Sequence, residues 1–144
     1  MPYVCGVCSI TPSSHSLTKL LEKDDTLYYY TCPSKAILYF DAHGIIHHYN
    51  GVLSEIPKNK QWVWIFDSDG FNLKHFLQID VAVELAKLIT AKFSDNLKKI
   101  IIINPTLYIS TVHHILMPFL NSKMRSIIEI NNGVTTAEEV LKNG

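Results

Sequence analysis

The spacing of hydrophobic residues changes near the middle of the chain. Before that point, aromatic and β-branched side chains cluster in three short runs, at 28–31, 36–41 and 45–49, separated by turn residues. Such runs predict strands, and the last two are close enough to form a hairpin. Residues 1–15 show no clear period, so we expect irregular chain there, leading into a short helix over 16–23.

Longer elements are expected in the second half. Residues 61–66 form an apolar run that ends in the turn residues 67–70, which predicts a strand. Apolar residues then recur every three or four positions over 76–93, as the buried face of a long helix requires. The isoleucines at 100–103 are apolar on both faces, so they predict a central parallel strand covered by helices on each side.

Two helices and one strand complete the pattern. Ser110 or Thr111 can cap a helix that extends to about residue 120, and residues 127–130 predict another strand. Thr135 or Thr136, each three residues before a glutamate, offers the capping-box spacing for a last helix. The alternation predicts an α/β fold, with a mixed, mainly parallel sheet, right-handed crossovers and the early strands at one edge.

Composition and charge narrow the class of function. The 144 residues suit one domain, and 47% hydrophobic against 18% charged residues provide enough apolar surface for a folded core. Thirteen basic residues balance thirteen acidic ones, so we expect no binding to nucleic acid. No apolar run reaches the roughly 18 residues of a membrane-spanning helix, and residues 1–12 lack the pattern of a secretion signal. We therefore expect a cytoplasmic protein.

One turn has the spacing of a catalytic motif. A strand running into Asp67 and Asp69 is the opening of haloacid-dehalogenase phosphatases, in which the first aspartate attacks phosphorus. Phe71 stands where those enzymes need a threonine, and the later pair of magnesium-binding acids is missing from the expected place. We interpret the segment as an ordinary strand-to-helix turn and expect no enzymatic activity.

The cysteines and histidines raise the question of a metal. Cys5 and Cys8 have the C-x-x-C spacing of a redox pair or half a zinc site, and the alternative is two incidental thiols. Further ligands would have to come from Cys32 or scattered histidines. The adjacent histidine pairs, at 47–48 and 113–114, point in different directions on a strand or a helix. We expect no metal and no other cofactor.

Large aromatic residues alternate along the strand at 61–66. Trp62, Trp64 and Phe66 therefore share one face of the sheet. They either fill the core or line a cavity for an apolar ligand.

Residues 62–130 resemble the CRAL-TRIO lipid-binding family, whose prototype transfers phosphatidylinositol and phosphatidylcholine. The resemblance lies in the order of features: a strand ending in Asp67 and Gly70, then a helix, then an apolar strand ending in Asn104 and Pro105, then a second helix. It implies a CRAL-TRIO-like domain over 26–144, preceded by an irregular segment with a short helix over 1–25, without the family's N-terminal helical module.

The resemblance also implies a ligand and its site. A phospholipid such as phosphatidylinositol, or another long hydrophobic molecule, would lie between the sheet and a gating helix over 110–120, and a carrier of this kind would meet membranes transiently. The expected lipid-binding residues are Trp62, Trp64, Phe66, Ile101, Ile103, Ile115, Leu116 and Phe119. The headgroup candidates are Asp95, Thr135, Thr136 and Arg125.

A second resemblance leaves an alternative open. Residues 104–109 are similar to the divergent branch of the family found beside Rho GTPase-activating domains, with Asn104 in place of the usual histidine. That branch implies a protein-interaction scaffold with a closed pocket and a partner such as a small GTPase. Large aromatics at Trp62, Trp64 and Phe66 would shrink the pocket or favour an apolar ligand.

Overall fold

The described residues form one mixed sheet with helices on both of its faces. A computed structural model describes Cys5, Cys8, Ile10 and residues 16–36, 41–133 and 135–143. The sheet has five strands in sequential order; the first runs antiparallel to the second, and all other neighbours are parallel. The strands are β1 (Thr18–Lys23), β2 (Thr26–Thr31), β3 (Gln61–Asp67), β4 (Leu97–Ile103) and β5 (Ile128–Asn131).

Helices connect each pair of parallel strands. The first connection contains one helix, the second and third contain two each, and a last helix follows β5. No helix in the described part of the chain is both long and apolar enough to cross a membrane. The helices are α1 (Ala42–Leu53), α2 (Leu73–Phe76), α3 (Ile79–Leu88), α4 (Leu107–Leu116), α5 (Ser122–Ile127) and α6 (Ala137–Asn143). Single turns of other helix types are Pro33–Lys35 and Met117–Phe119 (3₁₀) and Ile89–Phe93 (π).

The two faces of the sheet are covered unequally. Right-handed crossovers between strands in sequential order place their helices on the same side. Accordingly, Trp62, Trp64 and Ile100 of the sheet pack with buried residues of α1, α3 and α4, and we call this side the helix-rich face. On the other side, the α6 face, Ile65 and Ile103 pack with Val140.

The strand β4 confirms the prediction of a central strand that is apolar on both sides. It pairs with β3 on one side and with β5 on the other. Ile100 and Ile102 are buried on the helix-rich face, whereas Ile103 and the partly buried Ile101 contribute to the α6 face. The predicted α/β fold with a mainly parallel sheet is therefore confirmed.

Residues 42–53 form α1, so the strand predicted over 45–49, and with it the hairpin, is wrong. The carboxylate of Asp41 caps the helix by accepting a hydrogen bond from the amide of Gly44 at 3.1 Å. Ile45, Tyr49 and Leu53 recur every fourth residue and are buried, which outweighs the strand preference of their side-chain types. The other strand of that hairpin, over 36–41, falls mainly on residues 37–40, which lie outside the described residues.

The helix predicted over 16–23 is also wrong, because Thr18–Lys23 is the edge strand β1. Its turn to β2 consists of Asp24 and Asp25, with φ of 53° and 61°, as a type I′ hairpin turn requires at both central positions. Every residue of β1 is exposed, so its sequence lacks the alternation that marks a half-buried strand. Of the irregular chain expected over 1–15, only Cys5, Cys8 and Ile10 lie within the described residues.

The helix over 110–120 begins earlier than predicted. Thr106 caps α4 by accepting a hydrogen bond from the amide of Ile109 at 3.3 Å. Ser110 and Thr111, the expected caps, lie inside the helix, where their hydroxyls donate to backbone carbonyls one turn earlier. In α6, by contrast, Thr136 accepts a hydrogen bond from the amide of Glu139, as the capping-box spacing predicts.

A hydrogen-bond network joins the carboxyl ends of β2, β3 and β4. Buried Asp67 accepts hydrogen bonds from the Tyr30 hydroxyl at 2.5 Å, the Asn104 side-chain amide at 3.0 Å and the Asp69 backbone amide at 3.0 Å. Asn104 also donates to the carbonyl of Thr135 at 2.8 Å. Both oxygens of the candidate catalytic Asp67 are thus bound within the fold.

Replacing Gly70 by alanine is expected to destabilise the turn after β3. Gly70 has φ of 77°, and an added Cβ would lie 2.8 Å from the Cβ and Oγ atoms of Ser34. The left-handed conformation alone costs about 1–2 kcal/mol per non-glycine residue, and the clash adds to it. Urea denaturation should show this loss for Gly70→Ala. The control Gly133→Ala places its Cβ no closer than 3.6 Å to another atom and should stay within about 0.5 kcal/mol of wild type; equal losses would contradict the argument.

Replacing Tyr30 by phenylalanine is expected to lower the free energy of unfolding by about 1–2 kcal/mol at neutral pH, because buried Asp67 loses a donor. Burial, and then the hydrogen bond to Asp67, raise the pKa of Tyr30 above its ordinary value. The unfolded tyrosine ionises near pH 10, so this contribution is complete below about pH 10 and declines as the pH rises above it.

Denaturation curves measured from about pH 8 to pH 11 test the second part of this prediction. Wild type should lose stability above about pH 10 more steeply than Tyr30→Phe, since only wild type has this hydroxyl to ionise. Parallel curves for the two proteins would show that Tyr30 titrates alike in the folded and unfolded chain.

Candidate ligand cavity

An apolar cavity of about 110 Å³ lies between the helix-rich face and the helices that cover it. Strands β2, β3 and β4 form its floor, α1 and α3 form one wall, and α4 and α5 close it. The cavity lining includes Ser16, Thr31, Tyr49, Trp64, Phe66, Phe71, Ala82, Leu85, Ala86, Ile100, Ile102, Ile109, Val112, Leu116 and Met124.

The cavity results from large side chains facing small ones. Trp64 and Phe66 project from β3, with ring centroids 5.8 Å apart and nearly perpendicular planes. Ala82 and Ala86 line the cavity from α3 and lie one helical turn apart. The aromatic rings pack between the sheet and the helices, and the small alanine side chains of α3 do not fill the space opposite them. Apolar space therefore remains between the rings and α3.

The polar groups of Tyr49, Thr31 and Trp64 in the cavity wall form hydrogen bonds with one another and with the backbone. The Tyr49 hydroxyl donates to the carbonyl of Ser16 at 2.8 Å, and it lies 2.9 Å from the Thr31 hydroxyl. Since Tyr49 has a single proton, Thr31 is the donor in that second bond, and its oxygen accepts from the Trp64 indole at 2.9 Å. The wall therefore presents mainly hydrocarbon to any occupant.

The end of the cavity beside α2 is also apolar. Phe71, buried and part of the lining, stacks on His75 with ring centroids 5.3 Å apart. Burial, and secondarily the charge of Lys74, lower the pKa of His75. The histidine that supports Phe71 thus favours its neutral form, which suits the apolar surroundings.

The structure brings some of the predicted lipid-binding residues to the cavity. Trp64, Phe66 and Leu116 line it. Trp62 is fully buried beside the cavity, where its indole donates to the carbonyl of Phe93 at 2.9 Å. It belongs to the aromatic row under the helices without forming part of the lining.

Four of the predicted residues lie elsewhere. Ile101 and Ile103 lie on the α6 face, because alternate residues of a strand point to opposite sides; their neighbours Ile100 and Ile102 line the cavity. Two further residues, Ile115 and Phe119, are 37% and 40% exposed. Val112 and Leu116 lie four residues apart on the inward face of α4 and line the cavity, whereas Ile115 does not.

The predicted headgroup residues do not converge. Asp95 is exposed before β4, and its carbonyl accepts from Lys123 of α5, the helix that also carries Arg125. Thr135 and Thr136 lie beyond the opposite end of the sheet, about 20 Å away along a strand of seven residues. Their hydroxyls both contact the carboxylate of Glu139. Arg125 donates to the carbonyl of Met117 at 3.1 Å.

The sequence pattern did not identify several of the residues that line the cavity. Tyr49 was assigned to a strand and so could not be placed on a helix above the sheet. Ala82 and Ala86 carry no functional group that would single them out in the sequence. Two alanines one turn apart on the inward face of a helix nevertheless indicate unfilled space beside that helix. Ile100 and Ile102 were missed because periodicity shows that residues alternate but not which set faces the helices.

Comparison with known proteins identifies the fold family. No curated protein matches the chain. A solved structure, described as the crystal structure of Sfh5, is similar with a TM-score of 0.66 and 11% sequence identity; the match covers 85% of this chain and 50% of that one. The chain thus spans about half the length of that protein, and the likeness concerns the fold. Residues 36–143 match the profile of the CRAL/TRIO domain. The resemblance found in the sequence is confirmed, and the chain belongs to the CRAL/TRIO domain family.

Proposed function

We propose that this chain binds a lipid, or another long apolar molecule, in the cavity between the sheet and α4. The observation that carries the proposal is an apolar cavity whose polar wall atoms are bonded to one another. The CRAL/TRIO family consists generally of lipid-binding and lipid-transfer proteins. Burial contributes about 0.8 kcal/mol per methylene, so an acyl chain would bind without a polar partner inside the cavity.

A complete acyl chain requires more room than the cavity provides. The volume is about 110 Å³, whereas an apolar cavity of about 150 Å³ admits a molecule of the size of benzene. The cavity therefore accommodates several methylene groups, and a complete chain needs further space, which movement of one wall would supply. This requirement makes a gating element part of the proposal.

The helix α4 is the wall best suited to act as the gate. At its start, Asn104 has φ of 50° and is followed by Pro105; at its end, a 3₁₀ turn contains Pro118. The end is held by surface contacts, among them the 5.4 Å between the Lys87 ammonium and the centroid of the Phe119 ring. Exposed contacts of this kind are weak, so outward movement of α4, which buries Ile109 and Val112, costs less than movement of α3, which buries Val81, Leu85 and Ala86.

The outer side of the gate offers a surface for shallow contact with a membrane. The side chains of Leu107, Tyr108 and Ile115 on α4 are 81%, 36% and 37% exposed. On the neighbouring α2, Leu73 is 52% exposed, and the Phe76 and Tyr108 rings lie 6.0 Å apart. With no net charge on the chain, the apolar residues rather than long-range attraction would hold the protein at a lipid surface.

Filling the cavity tests the proposed ligand site. Ala82→Phe places a ring in the space between α3 and the aromatic floor, so uptake of fluorescent phosphatidylcholine and fluorescent phosphatidylinositol should fall at least about tenfold. Ala91→Phe is the matched control, since Ala91 is exposed and outside the lining; its uptake should equal that of wild type. Thermal denaturation of both variants checks that the fold is retained.

Native mass spectrometry of wild-type protein, followed by lipid extraction, provides the independent measurement. We expect a co-purified lipid in wild type and Ala91→Phe, and little in Ala82→Phe. Protein that is always free of ligand and takes up neither probe would contradict lipid binding and favour the scaffold with a closed pocket.

Flotation with vesicles of phosphatidylcholine and phosphatidylinositol tests the membrane surface. We expect weak association that is equal at about 0.1 M and 0.5 M salt, because exposed charges contribute little. Tyr108→Asp and Leu107→Asp should abolish it without lowering thermal stability, because both side chains are exposed. Asn59→Asp adds the same charge to an exposed residue at the amino end of β3 and should have no effect. Strong association that disappears in salt would contradict apolar insertion.

A further inference from the structure

Three metal-ligating side chains meet beside α1. The side chains are those of Cys5, Cys8 and His48, and their ligand atoms lie within 4.8 Å of one another. Cys5 and His48 are buried and Cys8 is partly buried. A cysteine pair separated by two residues provides half of a zinc site, and the fold now supplies a histidine from 40 residues further along the chain.

We propose that Cys5, Cys8 and His48 bind one zinc ion. The ion would connect the N-terminal segment to α1. This proposal is independent of the lipid-binding function, since none of the three residues lines the cavity.

The contacts of His48 suit a metal ligand. Its Nε2 atom lies 3.1 Å from the carbonyl oxygen of Leu17. A carbonyl only accepts hydrogen bonds, so Nε2 carries the proton and the lone pair is on Nδ1. A metal-binding histidine commonly donates its other ring N–H to a carbonyl in this way, which sets its tautomer and orients the ring.

The cysteines are arranged as a chelating pair. The backbone amide of Cys8 donates to the sulfur of Cys5 at 3.5 Å, a contact that favours the thiolate needed for coordination. In tetrahedral zinc sites, metal–sulfur distances of about 2.3 Å place two sulfurs about 3.8 Å apart. The three ligand atoms lie within 4.8 Å of one another, so they need to approach by no more than about 1 Å to reach the tetrahedral geometry.

The charge and the chemical type of these three ligands favour zinc over magnesium or calcium. Two thiolates neutralise the divalent ion, so the bound group places no net charge in this largely buried position. Binding releases the two thiol protons to solvent, and a water molecule completes the four ligands. Sulfur and imidazole donors are preferred by zinc over magnesium or calcium, which take oxygen ligands.

The position gives the ion a structural role next to the cavity. His48 precedes Tyr49, whose hydroxyl holds the carbonyl of Ser16 at the cavity wall. Leu17, held by His48, is buried, and β1 begins directly after it. A metal at this point would therefore hold the start of the sheet against α1.

Metal content of the full chain, purified under reducing conditions, is the first test. We expect about one zinc per chain by elemental analysis and, by X-ray absorption, two sulfurs at about 2.3 Å with nitrogen or oxygen at about 2.0 Å. Cobalt substitution should produce thiolate-to-metal charge-transfer bands. These measurements use wild-type protein and do not depend on whether a variant folds.

Variants then assign the ligands. Cys5→Ser, Cys8→Ser and His48→Gln should each weaken zinc binding more than about 100-fold in competition with a chromophoric chelator, since changes beyond the ligands already cost 10–100-fold. Cys32→Ser and His43→Gln are the controls, because Cys32 contacts Ser34 instead and His43 is an exposed residue of α1. Both controls should bind zinc as wild type does.

Three results would overturn the proposal. Zinc content far below one per chain, with no cobalt spectrum, would show that the cluster does not bind metal. A Cys5–Cys8 disulfide that re-forms in air despite added zinc would show a redox pair. Equal loss of binding in Cys32→Ser would show unspecific chelation by thiols.

Discussion

The sequential order of the parallel strands is the constraint on which the rest of this structure depends. Because β2, β3, β4 and β5 follow one another across the sheet, right-handed crossovers place α1, α3 and α4 on the same face. That face is covered by α1, α3, α4 and α5, whereas within the described part of the chain only α6 packs on the other face. Unequal covering explains why the large aromatic residues and the cavity are found together on the helix-rich face.

The aromatic row of β3 fills much of the core and also leaves a gap in its packing. Trp62, Trp64 and Phe66 form a continuous series of ring contacts under α1 and α3. Rings of this size hold the helices away from the strands, and opposite Trp64 and Phe66 the alanines of α3 do not fill the resulting gap. The indole of each tryptophan has a hydrogen-bond acceptor, so the row is stable without water or a polar ligand.

Polar side chains are concentrated at the boundaries of the sheet. At the carboxyl ends, Asp67 joins three strands through Tyr30 and Asn104, which accounts for the conformation after β4 at the start of α4. Near the start of β1, His48 holds the carbonyl of Leu17 and stands beside Cys5 and Cys8. The helix α4 begins next to the first of these regions and carries apolar residues on its exposed side.

The sequence by itself determined the elements whose side chains repeat with a clear period and are buried. The runs at 61–66 and 100–103 and the helical spacing over 76–93 predicted the parallel sheet, because burial on a strand or helix imposes its period on the sequence. The ordered motifs from Asp67 to Pro105 carried the resemblance to the CRAL/TRIO family. The edge strand β1 and the glycine-containing α1 were assigned wrongly, since exposure removes the period from the first and β-branched residues obscure it in the second.

Only the tertiary structure decided which residues share the cavity. Periodicity shows that Ile100 and Ile102 alternate with Ile101 and Ile103, but the direction of each set depends on where the crossovers pass. The separation of Asp95 from Thr135, and the meeting of Cys5 and Cys8 with His48, depend on contacts between elements far apart in the chain. Such contacts leave no local pattern, because the energy that selects them comes from packing across the whole sheet rather than from the neighbours of each residue.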